Sequence, residues 1–211
     1  MASSKKIKVC GITREEDLFQ LKAVGAHWAG LIFAPDSPRY VSGKLDPSRV
    51  KAFKELPKVG VFVDAQEPDI LEAISAYGLN MVQLHGQETP AFCESIRRHL
   101  KVIKAFRVRD TDSLSAITAS YVDHCHYFLF DTYGKLPGGN GISFNWEVLN
   151  TYDHKLPFWL SGGIGPEAVN EIKAIRHPKL FGIDVNSRFE ESPGVKNMKS
   201  LKSFIWDLSF S

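Results

Sequence analysis

Eight short apolar runs, with centres 21 to 31 residues apart, constrain this chain more than anything else in it. They are "IKVC", "WAGLIF", "VGVFV", "MVQLH", "VIKAF", "YFLFD", "FWLSG" and "LFGIDV", centred on Val9, Leu31, Val61, Gln83, Lys104, Leu129, Leu160 and Ile183. Each is rich in β-branched and aromatic residues, and most do not alternate apolar with polar. Runs of this kind suit strands covered on both faces, as in a parallel sheet. Parallel neighbours require a crossover, usually a helix, and the intervals leave room for one.

Helical patterns lie between the runs. Thr13 and Glu16 have the spacing of a capping box ahead of Leu18, Leu21 and Val24. Thr89 before Pro90 opens a helix carrying Phe92, Ile96 and Leu100 at i+4 spacing. Pro166 opens another, with Val169, Ile172 and Ile175, and the last carries Met198, Leu201, Ile205 and Leu208. Eight strands alternating with helices predict an α/β fold, a single-domain (β/α)8 TIM barrel over residues 1–211, with an open doubly wound sheet as the alternative. No Pro/Gly/Ser-rich linker divides the chain.

Composition removes several classes of function. The 211 residues, 44% hydrophobic, are enough for a sizeable core without disulfides or a structural metal. A net charge of +2, with the lysines and arginines spread along the chain, gives no footprint for nucleic acid. Three cysteines (Cys10, Cys93, Cys125) without CxxC spacing argue against a disulfide framework or a zinc site and favour a reducing compartment. The N-terminus lacks the apolar run of a signal peptide, and no segment approaches the roughly 18 apolar residues of a membrane span. A soluble, cytoplasmic protein with no membrane partner is expected.

In a TIM barrel the reactive groups stand at the C-terminal ends of the strands. Those ends carry Cys10, the loop "APDSPRY" (34–40), Asp64, His85, Arg107, Asp131, "SGG" (161–163), and Asp184 with Asn186 and Ser187. Any one of them, Asp64 or His85 above all, can serve merely to hold loop backbone; together they read as a reaction chamber. Gly162 and Gly163 let backbone N–H groups approach an anion, the helix opening at Pro166 adds its positive end, and a turn starting at Asn186 or Ser187 adjoins them. That placement on the seventh and eighth strands predicts a phosphate site. Asp131, after "YFLF", is expected at an apolar mouth where desolvation suits a general acid, facing Cys10 across the barrel. The rest of the glycine-rich stretch to residue 141 reads as a connector. Arg39, fixed by Pro38, can take a carboxylate bidentately or lie on the surface.

In this combination the chain resembles the phosphoribosylanthranilate isomerase family of tryptophan biosynthesis. "KVCGIT", "GLIFAPDSPRYVS", "VGVFVD", "VQLHGQE", "FLFDT" with "GGNG", "LSGGIGPEAV" and "GIDVNSRFEESPGVK" occur in the family's order over nearly the whole chain. The resemblance implies a TIM barrel that converts N-(5-phosphoribosyl)anthranilate into 1-(o-carboxyphenylamino)-1-deoxyribulose 5-phosphate, an Amadori rearrangement needing no cofactor and no metal. It implies Cys10 as general base, Asp131 as general acid, Arg39 on the anthranilate carboxylate, and Gly162, Gly163, Asn186 and Ser187 on the phosphate. The partner expected is this small phosphosugar–anthranilate molecule, acting on a monomer or homodimer.

Two positions depart from the family. Arg188 stands where the family usually has glycine, and is expected to point to solvent with Glu190 and Glu191 as partners. Asn145 replaces an aspartate before Trp146. Three other readings compete. A histidine-pathway isomerase is expected to carry a carboxylate at the end of strand one. A metal-dependent epimerase would use His85, Asp131 and Asp184. A non-catalytic barrel for a phosphate ligand would not need both Cys10 and Asp131.

Overall fold

The computed structural model describes residues 5–132 and 145–209. Eight parallel strands close into a barrel in chain order. They are β1 (Lys6–Val9), β2 (Trp28–Ile32), β3 (Lys58–Phe62), β4 (Met81–Leu84), β5 (Lys101–Val108), β6 (Tyr127–Thr132), β7 (Phe158–Ser161) and β8 (Leu180–Val185). The seam is the pairing of the first strand with the eighth, from Lys6 opposite Gly182 to Val9 opposite Val185. Helices α1 (Glu15–Ala23), α2 (Pro47–Ala52), α3 (Glu67–Tyr77), α4 (Pro90–Arg97), α5 (Leu114–Thr118), α6 (Val169–Ala174) and α7 (Met198–Ser209) join the strands or follow them. A short antiparallel pair, β9 (Glu190–Ser192) and β10 (Val195–Lys196), lies between β8 and α7. Every strand centre expected from the sequence falls inside its strand.

Both faces of the strands are covered, which explains the apolar runs. One face packs against helices through Leu18, Leu21, Ile70, Ile96, Ile172 and Leu201. The inner face is filled by Val59, Met81, Ile103, Ala105, Leu129 and Trp159. The helix starts follow local chemistry where a side chain is available. Thr89 Oγ1 accepts from Phe92 N at 3.2 Å ahead of Pro90, and Asp46 caps α2 through Ser48 N at 2.8 Å.

Two expectations need correction. Thr13 does not cap α1: that helix begins at Glu15 with no side-chain cap, and Thr13 Oγ1 donates to the Gly194 carbonyl at 2.8 Å. A tertiary partner 181 residues away took the hydroxyl. Pro166 opens a 3₁₀ turn, Pro166–Ala168, and the α-helix after it has only six residues. The glycine-rich connector expected up to residue 141 lies, beyond Thr132, outside the described residues.

At the N-terminal rim, the residue before every second strand of the first six clasps the preceding strand. His27 N donates to Ile7 O at 2.8 Å, and His27 Nδ1 accepts from Ile7 N at 3.2 Å. Asn80 does the same with Lys58, through its backbone N and side-chain Oδ1, both at 2.8 Å. His126 repeats it with Val102, at 2.9 and 3.2 Å. A histidine can accept only while that nitrogen is unprotonated. Burial, helped by Lys6 and Lys22 for His27 and by Arg97 and Lys101 for His126, pulls both imidazoles below the ordinary value.

The unfolded chain therefore binds these protons first as pH falls, so the stabilisation is complete above about 6.5 and is lost progressively below it. Asn80 shows that an amide fits the same clasp. The double variant His27→Asn/His126→Asn is expected to keep the barrel and to lose less unfolding free energy than wild type between about pH 7.5 and 5. Urea titrations at the two pH values measure this, and equal losses in the two proteins would refute it.

Candidate active site

The C-terminal mouth of the barrel encloses a cavity of about 210 Å³. Residues from seven of the eight strand ends or the turns after them line it; β5 contributes none, and Arg107 is exposed outside it. Cys10, just past β1, reaches it because β2 carries a glycine opposite. A Cβ at Gly30 would lie 2.8 Å from Cys10 Sγ. Gly11 follows at φ +74°, a left-handed conformation that admits Arg39 and Asn186 beside it; a Cβ there would sit 2.6 Å from Arg39 Cδ and from Asn186 Oδ1. Glycine after the cysteine is thus a packing requirement.

Asp131, at the end of β6, lines the same cavity. β6 is not opposite β1: in this ring of eight that place belongs to β5, and β6 reaches β1 through β7 and β8. Nor is Asp131 desolvated as expected. Its side chain is 30% exposed, and Oδ2 lies 3.2 Å from His85 Nε2. His85 Nδ1 in turn lies 2.9 Å from Gln83 Nε2. Gln83 Oε1 accepts from Lys8 Nζ at 2.7 Å, and Lys8 Nζ donates to Asp184 Oδ2 at 3.0 Å. Polar side chains of β1, β4, β6 and β8 are linked in one chain beneath the cavity.

The turns after β7 and β8 form the other end. Gly162 and Gly163 have φ of +105° and +59°, and a Cβ on Gly162 would strike Thr132. Asn186, Ser187 and Arg188 complete that wall. Arg188 does not take the partners expected of it. Its Nη2 lies 2.8 Å from Glu167 Oε1, because Glu190 is turned inward to Arg39 and Lys196. Its backbone is outside the positive-φ region, so arginine replaces the family's glycine there without backbone strain. Asn145 keeps the function expected of an aspartate: its Oδ1 accepts from Glu147 N at 2.9 Å and caps the 3₁₀ turn Trp146–Thr151.

Arg39 stands beside the cavity rather than in its wall. Its Nε lies 2.9 Å from Glu190 Oε1, and its Nη2 2.5 Å from Oε2. Among the described residues this occupies the Nε–Nη2 edge and leaves the terminal Nη1–Nη2 edge to receive a second carboxylate. Burial alone would raise the Glu190 carboxyl, but Arg39 and Lys196 outweigh it and hold it below the ordinary range. Burial also pushes the Cys10 thiol up, against the pull of Lys8 and Lys196. Asp64 serves its loop, accepting from Gln87 N with Oδ1 while its own N donates to Glu88 Oε1 at 3.1 Å. Sequence reasoning missed Lys8, Gln83, Glu190 and Lys196. A lysine and a glutamine inside two-sided apolar strands were the available signal for the first pair.

A closed parallel barrel with a chemically varied cavity at the strands' C-terminal ends places the protein among the TIM-barrel enzymes. The turns after β7 and β8 are where that class takes phosphate. Within it, the chain belongs to the N-(5'-phosphoribosyl)anthranilate (PRA) isomerase family, whose model matches residues 7–207. It is 39% identical over 202 residues to the N-(5'-phosphoribosyl)anthranilate isomerase of Parabacteroides distasonis, covering 94% of this chain and 91% of that one. The Phocaeicola vulgatus enzyme is 38% identical, with 94% and 95% covered. Among solved structures, monomers of the dimeric isomerase from Thermotoga maritima superpose with a TM-score of 0.81 at 30% identity, over 98% of this chain and 100% of that one. An isomerase bound to reduced 1-(o-carboxyphenylamino)-1-deoxyribulose 5-phosphate matches at 0.76 and 30%, over 97% and 98%.

Arg188, half exposed, lines the end of the cavity that carries the glycine turn and pairs there with Glu167 at the surface, so its charge remains available to an anion. Arg188→Gly is expected to weaken inorganic phosphate binding by roughly two- to tenfold at low ionic strength, with a smaller loss at high salt. Removing the exposed pair with Glu167 should change stability by less than about 1 kcal/mol. Calorimetric phosphate titrations at two salt concentrations test the first statement, and urea unfolding the second.

Proposed function

We propose that this protein isomerises N-(5-phosphoribosyl)anthranilate to 1-(o-carboxyphenylamino)-1-deoxyribulose 5-phosphate, the conversion its family carries out in tryptophan biosynthesis. The observation that carries the acid–base reading is that Cys10 and Asp131 line one cavity whose far wall is the glycine turn. Gly162, Gly163, Asn186 and Ser187 would hold the phosphate. Arg39, through its free edge, would take the anthranilate carboxylate.

Asp131 is the general acid: it gives its proton to the ring oxygen, the C1′–O bond breaks, and the nitrogen lone pair closes the Schiff base. His85, 3.2 Å from Asp131 Oδ2, orients that carboxyl. Cys10 is the general base. As thiolate it takes the proton from C2′; the C–H electrons form the C1′=C2′ bond, and the iminium electrons return to nitrogen. Proton return to C1′ and loss of the hydroxyl proton at C2′ give the ketone, with no net proton gained or lost. Asp184 Oδ1, buried and without a hydrogen-bond partner among the described residues, is an acceptor suited to a sugar hydroxyl.

The metal-dependent reading needs His85, Asp131 and Asp184 as ligands. Here His85 and Asp131 bond each other and Asp184 Oδ2 accepts from Lys8. The thiol at the end of β1 supports this isomerase over one with a carboxylate there. The dimeric relative supports a homodimer as readily as a monomer. One barrel of eight strands supports a single domain over residues 1–211, and three free, buried cysteines are in keeping with a cytoplasmic location. Among the described residues no helix is long and apolar enough to cross a membrane.

Cys10→Ser and Asp131→Asn are each expected to lower kcat at least ~10²-fold with little change in KM, the pattern for loss of a proton-transfer group. The fluorescence decrease of phosphoribosylanthranilate follows the reaction. Near-normal turnover in either variant would sink that residue's role.

A further inference from the structure

Lys8 on β1 and Cys10 just past its end are two positions apart on extended backbone, Cys10 N still bonding Val185 O at 2.8 Å, so their side chains enter the barrel from the same face, one above the other. Lys8 is completely buried, an unusual place for an ammonium. The level below it is filled by apolar side chains, Val59, Met81, Ile103 and Leu129 among them. Packing alone therefore gives no reason for a charge here. Lys8 Nζ is tethered by Gln83 Oε1 at 2.7 Å and Asp184 Oδ2 at 3.0 Å, and Gln83, Asp184 and Cys10 all line the cavity above.

The charges around Cys10 come from four elements. Lys8 is on β1 itself, Asp184 on β8, Lys196 on β10, and Arg39 in the loop after β2. Arg39 and Lys196 are both paired with Glu190, which offsets their charge. His85 and Asp131 face Asp184 from the other side. Lys8 is the cation that shares the cysteine's own strand and face.

We propose that Lys8 is a positioning residue for the isomerisation: its buried ammonium, beneath Cys10 on the same face, favours the thiolate form that takes the C2′ proton. The inference rests on the reading of Cys10 as base. Burial opposes that thiolate, and the Lys8 charge is the largest influence favouring it. Asp184 has the opposite sign. It keeps Lys8 charged and in place while its own negative charge disfavours the thiolate.

The test is the pH dependence of Cys10 alkylation by iodoacetamide in the full chain, read by mass spectrometry of the Cys10 peptide so that Cys93 and Cys125 do not contribute. Lys8→Met should move the midpoint up by roughly one pH unit or more and slow alkylation near neutral pH about tenfold or more. The rising limb of kcat against pH should move with it, and Lys8→Arg should restore part of both. A folded Lys8→Met protein with an unchanged midpoint overturns the proposal. If Lys8→Met does not fold, Lys8→Gln, which keeps a hydrogen-bond donor for Asp184, takes its place, and an unchanged midpoint in that protein overturns the proposal. Failure of the base assignment is separately visible: Cys10→Ser would then turn over normally, while the alkylation shift in the Lys8 variant would persist.

Discussion

The structure depends on a charge that the barrel interior cannot leave unpaired. Lys8 on the first strand meets Asp184 on the last, 176 residues along the chain, and their bond crosses the seam where the barrel closes. Breaking a buried pair by removing one partner typically costs about 3–5 kcal/mol, because the other charge remains in a medium that solvates it poorly. The pair is therefore satisfied only when the barrel is closed in this register. It also marks the boundary between a lower interior that is apolar and an upper one that is chemically active.

Around that boundary the protein separates rigid from adjustable parts. Cys10, Gln83, Asp131 and Asp184 stand on strands or directly at their ends, where the ladder fixes their directions. The groups that meet the rim of the cavity are held by a second buried cluster. The short β9–β10 pair folds back and sets Glu190 between Arg39 and Lys196, with side chains 3%, 17% and 0% exposed. One carboxylate thus places a guanidinium next to the cavity and an ammonium near Asn186, which Lys196 Nζ reaches at 2.9 Å. The arginine can recognise a planar anion because half its donor fork is already oriented.

Much of this was legible in the chain. Strand centres, the helix at Thr89, the glycine turn at Gly162 and Gly163, and Cys10 at the end of its strand all follow from local patterns, since period, turn chemistry and capping act over a few residues. Three of the errors have one origin. Thr13 left its capping role for Gly194, Arg188 paired with Glu167 because Glu190 was already engaged, and Asp131 stayed partly in solvent beside His85. Each was decided by a partner 21 to 181 residues away.

By itself the sequence determined the alternation of strand and helix, and with it which residues stand at strand ends, because a two-sided apolar run has few other uses. It determined the conformations only glycine adopts readily, at Gly11, Gly162 and Gly163. Only the tertiary structure decided which polar groups share a cavity, and that Lys8 lies inside the barrel, paired and beneath Cys10. The reason is physical: periodicity is a property of neighbours along the chain, whereas the charge state of a buried thiol is set by whatever closure brings within a few ångströms of it.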